Sequence, residues 1–291
     1  MIFFYIVLVI LSFLVVVFLY YSFVESNNIY VQHVSIQNEK LRNNYTLLHL
    51  SDFHLHKGMN VRLLNNLKNS LIEIVKKYRI DIALLTGDLI DNDSGIEILP
   101  EILGLIKPEK GTFAVLGNHD YFQYNLLHVF YPIFFFNEKK PSNIEYLKKV
   151  LKNWNVKLLI DKKKTIYNKG DILDIWGIDS RSVKSSALPE INVNKRHLTL
   201  LLSHYPDVIK YYKNLNVDIL LSGHTHGGQI TVFGHPVVVK SKIKKREAKG
   251  ASVHQKTVLY VTRGVGVSRY FPFRFFAKPE ISMIFLRRGI K

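Results

Sequence analysis

Residues Ile2 to Val24 form an apolar run broken only by Ser12, Ser22 and a few tyrosines. At ~1.5 Å per residue, about 23 such residues are enough to cross a ~30 Å hydrocarbon core. No Lys or Arg precedes the run and no small-x-small site follows it. This predicts a retained transmembrane helix over residues 1–25, with Tyr20 and Tyr21 at the interfacial level, rather than a cleaved signal peptide. From Ile29 onward, short β-like runs alternate with helical ones. Ile29–Ile36, Thr46–Leu50, Asp81–Thr86 and Thr112–Leu116 read as strands, while Val61–Tyr78, Ile96–Ile106 and Asn143–Trp154 carry helical periodicity. Further strands are expected at Lys157–Ile160, Thr165–Asn168, Ile172–Gly177, Leu198–Leu202, Asp218–Leu221, Gln229–Phe233, Val258–Val261 and Ile281–Leu286. Runs apolar on both faces, such as Ile82-Ala83-Leu84-Leu85, suit parallel strands covered by helices, so the class is α/β. No internal repeat or low-complexity linker divides residues 26–291, which are expected to form one catalytic domain behind the anchor.

Charge narrows the partners. Forty Lys and Arg against 23 Asp and Glu leave a formal +17, nearly all of it beyond the apolar run. Such a field favours anionic partners, whether nucleic acid, lipid headgroups or phosphorylated substrates. The chain contains no cysteine, which excludes disulfides, thiolate metal sites and cysteine nucleophiles. Any metal must therefore be held by oxygen and imidazole. Lys40 and Arg42 follow the apolar run whereas its N-terminal flank is uncharged, a bias that favours a cell-membrane protein with a cytoplasmic catalytic domain.

Five short polar motifs stand directly behind predicted strands: Asp52-Phe53-His54, Gly87-Asp88, Gly117-Asn118-His119-Asp120, His204, and Gly223-His224-Thr225-His226. Open α/β sheets place their ligand sites at the carboxyl ends of strands. In an extended Asp-x-His the two side chains share one face, so Asp52 and His54 can meet one cation, and His224 and His226 can share a cation or divide between two. Gly87, Gly117 and Gly223 let the backbone bend where a side chain is aimed inward. Carboxylate and amide oxygens mixed with imidazoles suit divalent manganese, iron or zinc without choosing among them.

This ordered set resembles the calcineurin-like metallophosphoesterase family over residues 45–286. Gly227-Gly228-Gln229, the stretch Tyr260 to Gly266, and Pro279-Glu280-Ile281 are similar to a membrane-anchored branch that includes hydrolases of UDP-2,3-diacylglucosamine. The resemblance implies a four-layer α/β/β/α sandwich with two divalent metal ions at the edge between its sheets. It implies Asp52, His54 and His226 on the first metal, Asn118, His204 and His224 on the second, and Asp88 bridging both. His119 is implied as the acid that protonates the leaving oxygen, with Asp120 orienting it. With cations about 3.5–4 Å apart, a bridging hydroxide whose parent water pKa has fallen towards ~7 would attack phosphorus.

The expected activity is hydrolysis of a phosphodiester or pyrophosphate bond, with a phosphorylated, lipid-linked molecule as substrate and no obligate protein partner. A nuclease or cyclic-nucleotide phosphodiesterase fits the charge but is poorly served by an anchor, so nucleic acid is not the expected partner. A metal-binding scaffold without catalysis is the remaining alternative. The aromatic stretches Val129–Phe136 and Tyr270–Phe276 suit either core packing or contact with acyl chains and bilayer. Lys240–Arg246 reads as a solvated loop or a headgroup-contacting patch, and Arg269 and Arg274 as candidate phosphate clamps. His49, His56, His128, His197, His235 and His254 have no motif partner and are read as core or surface.

Overall fold

The first element, α1 (Ile2–Ser26), is a helix of 25 residues whose apolar side chains are exposed along most of its length. It is long and apolar enough to cross a membrane. The computed structural model describes residues 1–125, 139–212 and 215–289. The Val129–Phe136 stretch lies outside the described residues.

Beyond α1 the chain folds as β1 (Tyr30–Asn38), β2 (Tyr45–Leu50), α2 (Val61–Lys77), β3 (Ile82–Thr86), α3 (Leu99–Leu103), β4 (Thr112–Val115), α4 (Asn118–Tyr121), β5 (Phe122–Gln123), β6 (Lys140–Pro141) and α5 (Ile144–Asn153). It continues with β7 (Val156–Leu158), β8 (Lys162–Asn168), β9 (Asp171–Ile178), α6 (Ser180–Ser185), β10 (Leu198–Ser203), α7 (Val208–Tyr211) and β11 (Ile219–Ser222). Last come β12 (Thr231–Val232), β13 (His235–Pro236), β14 (Gly250–His254), β15 (Thr257–Val261) and β16 (Glu280–Arg288).

Two six-stranded sheets result, ordered β1-β16-β2-β3-β4-β7 and β14-β15-β11-β10-β9-β8. Strands β2, β3, β4 and β7 pair in parallel, as do β9, β10, β11 and β15. The sheets pack face to face through Leu47, Leu84, Phe113 and Val115 of one and Ile175, Leu200, Leu202 and Leu221 of the other. Helices α2, α3 and α5 cover the outer face of the first sheet, and α6 and α7 that of the second. This is the four-layer α/β/β/α sandwich.

Local chemistry explains the covering helices. In α2, Leu63, Leu67, Leu71 and Ile74 recur on one face and are buried, Asn60 caps the N-terminus by accepting from the Arg62 N–H, and Lys76 and Lys77 sit in the last turn. Burying four such side chains contributes about 6–12 kcal/mol before entropy is counted.

Three expectations change. The helix expected over Ile96–Ile106 is confined to Leu99–Leu103: Pro100 falls in its first turn, where the missing N–H costs nothing, and Gly104 ends it. Gln229–Phe233 is not a strand, because Gln229 and Phe233 have φ of 59° and 48°, leaving the two-residue β12 paired with β13. Strand β8 begins at Lys162, ahead of the apolar residues that signalled it, since its three lysines occupy an edge strand, where charge is tolerated.

Candidate metal centre

Loops at the carboxyl ends of β2, β3, β4, β10 and β11 bring the nine singled-out residues to one edge of the sandwich. Their backbone is not extended, as the Asp-x-His argument assumed. Asp52, His54, Asp88, His224 and His226 all have positive φ, between 48° and 70°, a conformation uncommon outside glycine. Five such residues in one cluster mark a site whose surroundings override local preference. The loops are tied together by the Asp52 N–H donating to Gly87 O (2.9 Å) and the His54 N–H to Asp88 O (3.0 Å).

Only one of the three glycines bends in the way expected. Gly87 has φ +85°, whereas Gly117 and Gly223 are required by close approach. A Cβ on Gly117 would sit 2.1 Å from Asp88 Oδ1, and one on Gly223 would sit 2.0 Å from Ser51 Oγ and 2.2 Å from Asp52 Oδ2.

Three groups of side chains could each hold a cation: Asp52, His54 and His226; Asp88, His204 and His224; and, between them, His54, Asp88 and His119. Within each group the nearest ligand atoms lie within 4.8 Å of one another. His54 Nε2 is 3.1 Å from His226 Nε2, and His204 Nε2 is 3.1 Å from His224 Nδ1. Asp88 Oδ2 stands 3.2 Å from His204 Nε2 and 3.7 Å from His54 Nε2. Among the described residues, none of the motif-less histidines joins these groups.

Ring hydrogen bonds set which nitrogen faces inward. The His204 Nδ1–H donates to Thr86 O (2.9 Å) and the His224 Nε2–H to Lys240 O (3.1 Å), while His54 Nδ1 lies 3.3 Å from Asp91 Oδ1. In the neutral ring each of these leaves the inward nitrogen a free lone pair, the arrangement of a metal-ligating imidazole. His226 differs: its Nδ1 faces Arg274 Nη2 at 3.1 Å, so lending Nε2 to a cation requires that contact to part.

Asn118 takes its place through the turn of α4. Its Oδ1 accepts from the Tyr205 hydroxyl (2.8 Å), and the neighbouring His119 N–H donates to Asp88 Oδ1 (2.8 Å), which puts Asn118 on the Asp88 side.

Electrostatics follow from burial and mutual proximity. Burial pushes the Asp52 carboxyl up. Burial acts the same way on Asp88, but His204 and His119 beside it hold its carboxyl well below the usual range. Burial disfavours a charged His204, yet Asp88 lifts its pKa to about 9. Burial, and then the His204 charge, press His224 down to about 3, and burial with His54 and Arg274 keeps His226 neutral. Asp88 is thus an ionised carboxylate beside the neutral imidazoles of His224 and His226, while His204 sheds its proton on taking a cation; carboxylate and neutral imidazole are the donor set of hard-to-borderline divalent cations.

Two residues stand elsewhere than expected. The Asp120 carboxylate does not reach His119. It accepts the backbone N–H groups of Leu89 (2.8 Å), Ile90 (3.1 Å) and Gly117 (2.8 Å), fastening the β3 and β4 loops to each other. The carboxylate beside His119 is Asp91, whose Oδ1 lies 3.1 Å from His119 Nδ1, off the line of a hydrogen bond but at ion-pair distance. Sequence reasoning missed Asp91. Arg274 cannot clamp a phosphate: it is fully buried, and its guanidinium donates to the carbonyls of Arg263 (2.8 Å), Gly264 (3.1 Å), Gly266 (2.6 Å) and Ala277 (2.9 Å). Arg269 lies over the Tyr270 ring at 5.4 Å. His49 is a core histidine, bonded to Thr86 Oγ1 (2.8 Å) and pressed by burial to about 3.

Comparison with known proteins gives a match to the family described as Calcineurin-like phosphoesterase over residues 45–228. The chain is 29% identical to metallophosphoesterase YkoQ of Bacillus subtilis, over 86% of this chain and 87% of that one. It is 27% identical to UDP-2,3-diacylglucosamine pyrophosphatase LpxG of Chlamydia muridarum, over 82% of each. A transmembrane protein with metallophosphoesterase domain from Danio rerio is 25% identical over 89% of this chain and 57% of its own length.

Proposed function

The chain belongs to the calcineurin-like phosphoesterase family and is a phosphoric ester hydrolase, and from that premise we propose a single-pass, membrane-anchored enzyme that holds two divalent cations and cleaves a phosphodiester or pyrophosphate bond in a lipid-linked substrate. The observation that carries this reading is a pair of three-residue groups side by side, one of Asp52, His54 and His226 and the other of the buried carboxylate Asp88 with His204 and His224. Asn118 completes the second group. Manganese, iron and zinc all suit these donors.

When bound, the cations supply Lewis-acid activation of water and stabilisation of the phosphoryl oxygens. Asp52 and Asp88 offset half the charge of two divalent ions, which leaves a positive seat for a phosphate. His119, buried on its Asp91 side and partly exposed on the other, offers its outward proton to the leaving oxygen. Asp91 holds that ring against the site. Beside the centre, Tyr205, Tyr211, Lys184, Lys240 and Lys242 line a cleft of about 380 Å³. Those lysines suit a second phosphoryl group. A larger cleft of about 490 Å³ runs along β1 and β14, and none of the metal-centre imidazoles lines it.

The anchor is residues 1–25 and the catalytic domain residues 26–291, with the Lys40 and Arg42 bias supporting a cytoplasmic domain. The pyrophosphatase activity named for the Chlamydia relative supports UDP-2,3-diacylglucosamine as the first substrate to try. The test is metal-reconstituted full-length protein in detergent, assayed on UDP-2,3-diacylglucosamine, a chromogenic phosphodiester and single-stranded DNA. Turnover of the lipid nucleotide above the other two supports the reading. Preference for DNA would make the protein a nuclease, and inactivity on all three with metal bound would make it a scaffold.

A further inference from the structure

The C-terminal half of α1 is packed against the catalytic domain. The rings of Phe18 and Tyr21 lie 4.8 and 5.4 Å from the Phe275 ring, and the Glu25 carboxylate accepts the backbone N–H groups of Phe276 and Ala277. Phe18 precedes the last helical residue by eight positions, about 12 Å of helical rise. The loop that carries Phe275 therefore rises to a level within the apolar run of the helix.

That loop holds the foot of the β12–β13 hairpin. The Phe275 N–H donates to Gln229 O (2.9 Å), the Thr231 N–H to Phe275 O (2.8 Å) and the Thr231 hydroxyl to Phe276 O (2.8 Å). The hairpin then leaves Val232, Phe233, Val237 and Val238 in the open, with Phe233 96% exposed at the tip. Phe233 also has φ 48°, an unfavourable backbone for a bulky side chain that packs on nothing. Directly after it, Lys240, Lys242, Lys244, Lys245 and Arg246 are exposed, and Lys245 Nζ donates to Val237 O (2.8 Å), fixing the basic segment to the hairpin. An exposed apolar tip backed by cations beside a spanning helix is the composition of an interfacial membrane contact.

We propose that residues 230–246 are a second membrane-contact element, which seats Val232, Phe233, Val237 and Val238 at the headgroup–acyl boundary of the leaflet that α1 enters and Lys244, Lys245 and Arg246 on anionic headgroups. This rests on the reading of α1 as the anchor. It deepens the substrate assignment, because Lys240 O is bonded to His224 and the same segment lines the cleft beside the metal centre. A substrate with acyl chains could then enter that cleft from the plane of the bilayer.

The absence of cysteine allows a clean test. Full-length Phe233→Cys carries a single environment-sensitive fluorophore, with Tyr167→Cys, exposed on the edge strand β8, as control. Both are reconstituted into phosphatidylcholine vesicles with and without phosphatidylglycerol. The expected result is blue-shifted emission and several-fold stronger quenching by shallow spin-labelled lipid at 233 than at 167, greater with phosphatidylglycerol. Protein that floats with the vesicles while the 233 label is as open to aqueous iodide as the 167 label overturns the proposal and leaves the anchor standing. Equal quenching with and without phosphatidylglycerol overturns its headgroup contact. Failure to float overturns the anchor reading, and the proposal with it.

Discussion

Asp91 Oδ1 lies 3.1 Å from His119 Nδ1 and 3.3 Å from His54 Nδ1, so one carboxylate steadies both the proposed acid and a proposed metal ligand. Burial would raise the Asp91 carboxyl, but the two imidazoles outweigh it and hold it well below its ordinary value. At saturating metal, Asp91→Asn should lower kcat about 10–100-fold, the usual effect of removing a partner behind a ligand. His119→Gln should cost about 10²–10⁴-fold, and the double variant should be slower than His119→Gln by less than the full Asp91→Asn factor, because only the share that runs through His54 remains to be lost. An unchanged kcat in Asp91→Asn removes Asp91 from the account.

Asp120 should behave in the opposite way. Truncation to alanine strands three buried backbone N–H groups, a loss of about 2–4 kcal/mol. The urea midpoint should fall, with kcat per folded molecule nearly kept at saturating metal. Loss of kcat without loss of stability would return the orienting role to Asp120.

The gathering of the candidate ligands at one sheet edge was legible because each follows a strand rich in apolar residues, and the ends of those apolar runs alone locate that edge. Asp91 was not legible. It comes three residues after Asp88 in Asp-Leu-Ile-Asp, with no spacing rule to single it out, and its value depends on where β3 sits relative to His54. Adjacency misled for Asp120. The pattern Gly117-x-x-Asp120 is an N-terminal helix cap, with an acidic side chain turned back onto the Gly117 N–H, and that signal was available. The lysines of β8 hid the start of that strand, and Arg274 looked like an anion clamp because burial by the backbone of its own loop leaves no trace in composition.

Gly223→Ala should leave the fold intact and weaken metal binding by more than about tenfold. The added methyl would overlap the Asp52 carboxylate, which in turn accepts the His224 N–H (3.1 Å). Titration calorimetry with manganese on the apo protein measures this. Wild-type affinity in the variant would mean that Asp52 is not a ligand.

Asp171 links pH to stability far from the site. Its carboxylate accepts from the Asn43 side-chain amide (2.8 Å), from the backbone N–H groups of Arg42 (2.7 Å) and Asn43 (2.9 Å) and from the Tyr45 hydroxyl (2.9 Å). Burial opposes ionisation, but these bonds outweigh it and the carboxyl is held below its ordinary value of 3.8. A depressed carboxyl contributes stability above the unfolded pKa and loses it as pH falls through the folded one. Asp171→Asn should therefore cost about 1–3 kcal/mol at pH 7 and less near pH 3, read from urea unfolding at both.

The central claim, that two divalent cations share Asp88, is tested most directly by metal counting. Full-length protein loaded with manganese and freed of excess should carry two equivalents per chain by mass spectrometry of the eluted metal. Asp88→Asn should carry one or none and hydrolyse no phosphodiester. Two equivalents and full activity in Asp88→Asn would contradict the account.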